Sequence, residues 1–260
     1  MITINGIEIV AGRFPDNTYC LLNLPLDQIS ETPAFKNDDS FHFAWNYEFN
    51  EELLLLWHLA LHFKEFSEKH IKFYLHIYYM PNARMDRIKD VKELFTLKST
   101  AKLINLMEFD TVYITDPHSN VTPALINKCV VCHPVNAIKV PIERFELENY
   151  HVVLYFPDAG AMKRYSDSFK GYDTLYGEKT RNWDTGEITG LEIKGNISKQ
   201  DKEVVILMID DICSYGGTFY YSSKALKEKY PNVKIYSYAT HTENVFPRLD
   251  LAMDEGLIEE

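Results

Sequence analysis

Apolar positions along the chain fall into two alternating kinds of run, and together they predict an α/β fold. From Glu51 to Lys69, Leu, Trp and Phe recur on one face at helical spacing, which predicts a helix. Ile71 to Met80 follows as a β-branched and aromatic stretch halted by Pro81, which predicts a strand. The pair recurs: helical spacing over 93–108 leads into a strand from Thr111 to Thr115, with the loop Asp116-Pro-His-Ser-Asn120 at its carboxyl end. The second half repeats the scheme. A strand from His151 to Phe156 empties into Pro157-Asp158-Ala-Gly160, and a helix follows. A strand from Val204 to Ile209 empties into Asp210-Asp211, ahead of a helix from Phe219 to Lys229 and a strand from Val233 to Ala239. In such sheets ligands gather outside the carboxyl ends of the strands.

Pro134 and Pro141 interrupt the periodicity between Cys132 and Arg144, which places a boundary there and predicts two α/β lobes, 1–136 and 137–260. Between Gly171 and Gln200 the chain turns polar and glycine-containing, as a mobile hairpin or flap would. Solenoid repeats and low-complexity tracts are both absent from the sequence.

Composition narrows the function classes. With 260 residues and 46% hydrophobic content the chain can bury a substantial core. No apolar run approaches the length of a membrane span, and Met1-Ile-Thr-Ile-Asn5 lacks the basic start and apolar stretch of a signal peptide, so a cytoplasmic location is expected. Cys20, Cys129, Cys132 and Cys213 are too few and too scattered for a disulfide framework and are expected as free thiols. Cys129-Val-Val-Cys132-His133 satisfies the c-type haem pattern, but haem attachment needs export, and the apolar flanks favour a packed strand. A formal charge of −11, from 27 Lys+Arg against 38 Asp+Glu, gives no long-range attraction for nucleic acid or anionic membrane. An anionic ligand must therefore be held locally.

The segment Ile209-Asp-Asp-Ile-Cys-Ser-Tyr-Gly-Gly-Thr218 can do this. Its glycines let backbone N–H groups close around an anion, and the next helix adds its positive N-terminal end. Asp210 and Asp211 cannot bind the phosphate, but two carboxylates can accept hydrogen bonds from vicinal hydroxyls. Phosphate and diol together describe a ribose phosphate. The bland alternative, an exposed turn followed by a helix cap, does not explain the apolar run that leads straight into Asp-Asp. Neither a Walker P-loop nor a dinucleotide Gly-x-Gly-x-x-Gly is present.

These residues resemble the ribose-phosphate pyrophosphokinases (PRPP synthetases), members of the type I phosphoribosyltransferase fold group, over nearly the whole chain. The resemblance implies two phosphoribosyltransferase-like lobes, each a mostly parallel sheet flanked by helices. Met80-Pro-Asn-Ala-Arg-Met-Asp-Arg87 resembles the family's Tyr-Ala-Arg-Gln-Asp-Arg segment, which implies ATP contacts for Arg84 and Asp86, with Met85 in place of Gln. Asp116-Pro-His118 resembles Asp-Leu-His, and Pro157-Asp158 resembles Ser-Pro-Asp, which implies that His118 and Asp158 hold the Mg2+ of Mg-ATP. Lys179 and Arg181 resemble cations of the family's Lys-Arg-Arg-Pro flap, which stabilise the transferring diphosphate. Arg13-Phe-Pro-Asp-Asn-Thr18 resembles Arg-Phe-Ser-Asp-Gly-Glu, a loop that reaches into a neighbouring subunit, which implies that Phe14 and Asp16 contact ATP in a homo-oligomer, a dimer or higher. Thr240-His241 matches a Thr-His pair that closes the family's late strand.

The activity so implied is Mg2+-dependent transfer of the β,γ-diphosphate of ATP to the anomeric hydroxyl of ribose 5-phosphate. Asp210 and Asp211 hold the sugar hydroxyls, and Ser214, Tyr215, Gly216, Gly217 and Thr218 hold the phosphate. Ser214 and Tyr215 depart from the usual Asp-Thr, which removes one negative charge beside the sugar phosphate. That change makes ADP-ribose an alternative acceptor, with a product feeding NAD synthesis. The chain is also shorter than typical family members, so part of the usual allosteric apparatus is expected to be missing. A phosphoribosyltransferase would use the same loop without the ATP-like segments at Phe14 and Arg84, and a silent regulatory homologue would have no use for Lys179, Arg181, His118 and Asp158.

Overall fold

A computed structural model describes residues 1–181, 188–198, 201–243 and 247–259, with the side chains of 179–181 and 188–189 outside the described set. The chain divides into two compact units, Met1–His133 and Pro134–Glu260.

The first unit opens with β1 (Ile2–Ile4) and β2 (Ile7–Glu8), a small separate hairpin of β3 (Gly12–Arg13) and β4 (Tyr19–Cys20), and short helices α1 (Leu26–Ser30) and α2 (Pro33–Asp38). Then come β5 (Ser40–Trp45), α3 (Glu52–Phe66), β6 (Lys72–Ile77), α4 (Thr96–Leu106), β7 (Thr111–Thr115), α5 (Val121–Leu125) and β8 (Cys129–Cys132). The sheet runs β2-β1-β5-β6-β7-β8, with β5 to β8 parallel and β1 antiparallel to both of its neighbours. Register lines up two buried rows across it, Ile4-Phe43-Leu75-Val112 and Ile2-Trp45-Ile77-Ile114. Against this core α3 buries Leu55, Leu56, Leu59, Ala60 and Phe63. Burial of each large side chain is worth about 1.5–3 kcal/mol, and this outweighs the helix's lack of a side-chain N-cap. The alternate positions of the same strands carry His42, Tyr74, His76 and Tyr113, so this face is aromatic and polar. His76 bonds Thr115 Oγ1 at 2.8 Å, and burial lowers its pKa.

The second unit contains α6 (Val135–Leu147), β9 (His151–Phe156), α7 (Ala159–Tyr165), β10 (Asp173–Arg181), β11 (Ile188–Lys194), β12 (Val204–Cys213), α8 (Gly217–Lys229), β13 (Lys234–Thr242) and α9 (Pro247–Asp254). Its sheet runs β11-β10-β9-β12-β13, parallel except for the edge strand β11. Val153, Tyr155, Ile206 and Met208 pack with α8 and α9 on one face, while Leu154, Phe156, Leu207 and Ile209 pack with α6 and α7 on the other. Strands covered on both faces read as unbroken apolar runs, which is why β9 and the start of β12 were legible.

Two expectations need correction. Pro141 does not break the chain but lies inside α6. It forfeits one backbone hydrogen bond, and buried Ile138, Ile142 and Phe145 hold the helix to the sheet regardless. Strand β12 does not stop at Ile209; it carries Asp210 and Asp211 within the ladder and pairs Asp210 with Ala239 and Cys213 with Thr242. Within the segment expected as a hairpin or flap, β10 and β11 do pair as an antiparallel hairpin, and Asp173 to Tyr176 also pair with β9.

Candidate functional site

In the second unit the carboxyl ends of adjacent strands β9 and β12 bring the sugar-phosphate candidates together. Asp158, just past β9, is the N-cap of α7: its Oδ1 accepts the backbone N–H groups of Gly160 at 2.9 Å and Ala161 at 3.0 Å. This cap fixes the direction in which α7 leaves the sheet. Asp158→Ala should cost about 1 kcal/mol and lower the thermal midpoint of metal-free protein by roughly 2–4 °C. An unchanged midpoint in a melting curve taken in chelator would contradict the capping role.

Asp210 and Asp211 are both buried. Burial, and next the neighbouring charge of Asp211, push the Asp210 carboxyl well above the usual range, and Asp158 adds to the rise. Asp210 Oδ1 accepts the backbone N–H of Asp211 at 2.9 Å. Arg164, six residues along from Asp158, supplies the positive charge: its Nη2 lies 2.5 Å from Asp211 Oδ1 and 3.6 Å from Asp210 Oδ1. Burial alone would lower the Arg164 pKa, yet the carboxylates and Tyr165 raise it overall.

The phosphate loop follows at once. Gly216 has φ +73° and ψ 4°, in the left-handed region, and no side chain caps the first turn of α8. Those N–H groups lack intrahelical partners by construction, which suits an anion. Tyr215 is 65% exposed. Ser214 Oγ donates to Glu243 Oε2, and Glu243 N–H donates to Cys213 O at 2.8 Å. Glu243, from just beyond β13, thus sets a carboxylate against Ser214. Arg248, at the start of α9, places Nη1 beside Gly217 and its guanidinium 5.3 Å from the Tyr221 ring. Lys179 and Arg181 lie on β10, and their side chains fall outside the described residues.

In the first unit Arg84 and Asp86 follow β6, and His118 follows the adjacent strand β7, so all three sit past the carboxyl edge of one sheet. Arg84 is exposed, and Asp86 Oδ1 lies 3.6 Å from Arg87 Nε. His118 is half-buried beyond Asp116, a buried carboxylate with φ +44° that the sequence reading passed over. Phe14 and Asp16 form the tip of the β3–β4 hairpin. Phe14 N–H donates to Thr18 O at 2.9 Å, and Asp16 Oδ1 accepts the Thr18 hydroxyl at 2.7 Å, which lowers its pKa. Phe14 is 49% exposed.

Sequence reasoning also missed Arg164, Glu243 and Arg248. For Arg164 a signal existed: two consecutive acids at the end of an apolar strand demand a nearby cation. For the other two no local pattern marks them. A magnesium ion takes few protein ligands, predominantly hard oxygens. Asp158 and Asp210 are carboxylates close enough for the Asp158 charge to add to the rise of the Asp210 pKa. Among the described residues no cluster of three or more His, Cys, Asp or Glu forms a complete metal cage.

Mostly parallel sheets flanked by helices, one in each unit, define two phosphoribosyltransferase-like lobes. The solved PRPP synthetase of Mycobacterium smegmatis shares this fold, with a TM-score of 0.68 at 18% identity over 92% of this chain and 75% of that one. In sequence the chain is similar to two ribose-phosphate pyrophosphokinases. That of Pyrococcus furiosus is 27% identical over 68% of this chain, and that of Sulfurisphaera tokodaii is 24% identical over 96% of it. The matched part spans 62% of the Pyrococcus protein and 88% of the Sulfurisphaera protein. No family model matches the chain.

Proposed function

We propose that this chain is a transferase that moves the β,γ-diphosphate of ATP to the anomeric hydroxyl of ribose 5-phosphate, giving PRPP and AMP. The observation that carries the proposal is the continuity of β12 with the phosphate loop: buried Asp210 and Asp211 are followed within five residues by the left-handed Gly216 that opens α8. Diol and phosphate contacts thus come from one rigid strand–helix junction. Asp210 and Asp211 accept the ribose hydroxyls while the 215–218 backbone holds the 5-phosphate, and this aims the anomeric oxygen at the donor. That oxygen bonds the β-phosphorus, the bond from this phosphorus to the oxygen bridging to the α-phosphorus breaks, and AMP leaves with the bridging oxygen as the hydroxyl proton is released. Arg84, Asp86, His118, Phe14 and Asp16 are proposed to hold ATP, and Lys179 and Arg181 to meet the charge that develops on the diphosphate. Magnesium, for which His118 and Asp158 are each proposed as a ligand, would neutralise phosphate charge. A homo-oligomer in the cytoplasm belongs to the same reading; among the described residues no helix is long and apolar enough to cross a membrane.

ADP-ribose as acceptor has an observation of its own. Arg248 stands beside Gly217 at the mouth of the phosphate loop, and exposed Tyr221 and Tyr215 offer ring surface there, which suits a second phosphate and a base. Mg-ATP incubated with either acceptor, with AMP measured by chromatography and the acceptor by mass, decides between them. The product gains a diphosphate, and excess EDTA stops AMP release by at least about a hundredfold, since phosphoryl transfer relies on the metal. AMP with ADP-ribose alone makes that the acceptor. No AMP with either sinks both readings and leaves a phosphoribosyltransferase or a silent homologue.

A further inference from the structure

Tyr155 lies in β9, the central strand of the second sheet, opposite Leu175 of β10 on one side and Met208 of β12 on the other. Its ring is fully buried in the layer that α8 covers, among apolar Val153, Ile206, Met208, Phe219 and Leu226. Yet the ring ends in a hydroxyl, and Tyr155 Oη donates to Ser222 Oγ at 3.0 Å. Ser222, also buried, stands in α8 less than two helical turns on from Gly217. Strand β10 closes on the same hydroxyl: a Cβ at Gly177 would lie 2.5 Å from Tyr155 Oη and 2.7 Å from Pro157 O, so the phenol fits there because this residue has no side chain. Stability is a weak reason for such a bond, since apolar groups of the same shape in place of both partners would be nearly neutral. What it adds is direction. Apolar burial has none along a helix axis, whereas a hydrogen bond holds two atoms at a set distance and angle.

We propose that Tyr155 is a positioning residue for the acceptor phosphate: its bond to Ser222 ties α8 to the central strand and fixes where the N–H groups at the start of that helix converge. The inference rests on the 215–218 loop being the phosphate site. Those N–H groups hold an anion only within hydrogen-bond range, and the helix carries them as a rigid body. Without the bond, α8 keeps its apolar contacts but can slide or turn by a fraction of a residue, and the N–H groups no longer share one focus. Tyr155 thereby acts on the phosphate from beneath the helix, through Ser222, and never touches it.

The test is calorimetric binding of ribose 5-phosphate and of Mg-ATP to the full chain, well below the melting midpoint, in wild type, Tyr155→Phe, Ser222→Ala and the double variant. Each single variant binds ribose 5-phosphate about tenfold more weakly, the worth of one hydrogen bond to a charged group. The double variant loses no more than about twofold beyond either single one, because both substitutions remove the same bond. Affinity for Mg-ATP stays within about twofold of wild type, since the side chains proposed to hold the nucleotide are in the first unit and share no partner with Tyr155. A purely structural bond would lower the midpoint and leave the affinities where they were. Wild-type affinity for ribose 5-phosphate in Tyr155→Phe therefore overturns the proposal, as do losses that add in the double variant or an equal weakening toward Mg-ATP. If one single variant does not fold, the other carries the test on its two affinities alone. A wild type that does not bind ribose 5-phosphate overturns the phosphate loop itself, and the proposal with it, which sets that result apart from the others.

Discussion

Gly216→Ala abolishes capture of the sugar phosphate and destabilises the second unit. A methyl group at this position meets two penalties at once. The backbone sits at φ +73°, where a Cβ costs about 1–2 kcal/mol. The added Cβ would also lie 2.4 Å from Leu249 N and 3.0 Å from Leu249 Cα, so the backbone of α9 would have to move. Helix α9 resists that, being anchored by fully buried Ala252 and by the Arg248 N–H bond to Tyr215 O at 3.1 Å. Together these give a loss of about 3 kcal/mol or more, read as a fall of roughly 6–12 °C in the thermal midpoint. Binding of ribose 5-phosphate drops at least about a hundredfold as the N–H groups lose their common focus. Gly217→Ala is the control. Its Cβ would meet only the end of the Arg248 side chain, 3.1 Å away, which can swing aside. A Gly216→Ala protein that melts within a degree of wild type would show that α9 does not clamp the loop.

The second large effect has opposite signs on stability and function. Asp210→Asn removes a carboxyl whose ionisation the fold opposes, through burial first and the Asp211 charge second. Because the folded-state pKa is raised, the stability that the protonated acid contributes is complete below its unfolded value of about 4 and is lost as pH rises through the folded pKa. The substitution should therefore raise the thermal midpoint by roughly 2–4 °C at pH 7–8, about 1 kcal/mol, and do little near pH 4. Asn can still accept the Asp211 N–H through its Oδ1, so the strand junction survives. Acceptor binding nevertheless falls by about tenfold or more, since a neutral amide is a weaker partner for a sugar hydroxyl than a carboxylate. A midpoint gain independent of pH between 4 and 8 would refute the electrostatic origin. Unchanged affinity for ribose 5-phosphate would refute the role of Asp210 in the site.

The two halves of the chain were unequally legible. In the second unit, β9 was read with its true limits because both faces of that strand are buried and every position after His151 is apolar. In the first unit β5, Ser-Phe-His-Phe-Ala-Trp, alternates a core row with an aromatic and polar face, and it went unread along with the β1–β2 hairpin. Tertiary pairing with β6 makes that segment a strand. Asp210 and Asp211 misled in the other direction. Consecutive acids signal a loop by composition, whereas Arg164, 47 residues before Asp211, brings positive charge to them at a ladder position. Pro141 misled in the same way, because three buried side chains of α6 outweigh one missing hydrogen bond.

The order of strand, acid pair, glycine pair and helix in β12 and α8 is local, set by the contiguous residues from Val204 to Lys229, and the sequence alone was enough to determine it. So was the α/β class, since burial on two faces leaves a one-dimensional trace. The charge of the phosphate loop and the clamping of its glycine were decided only in three dimensions. Glu243 and Leu249 reach the loop from beyond a separate strand, β13, and Arg164 arrives from the opposite sheet face. Electrostatic and steric terms depend on distance in space, and the chain order does not encode it until the sheet has assembled.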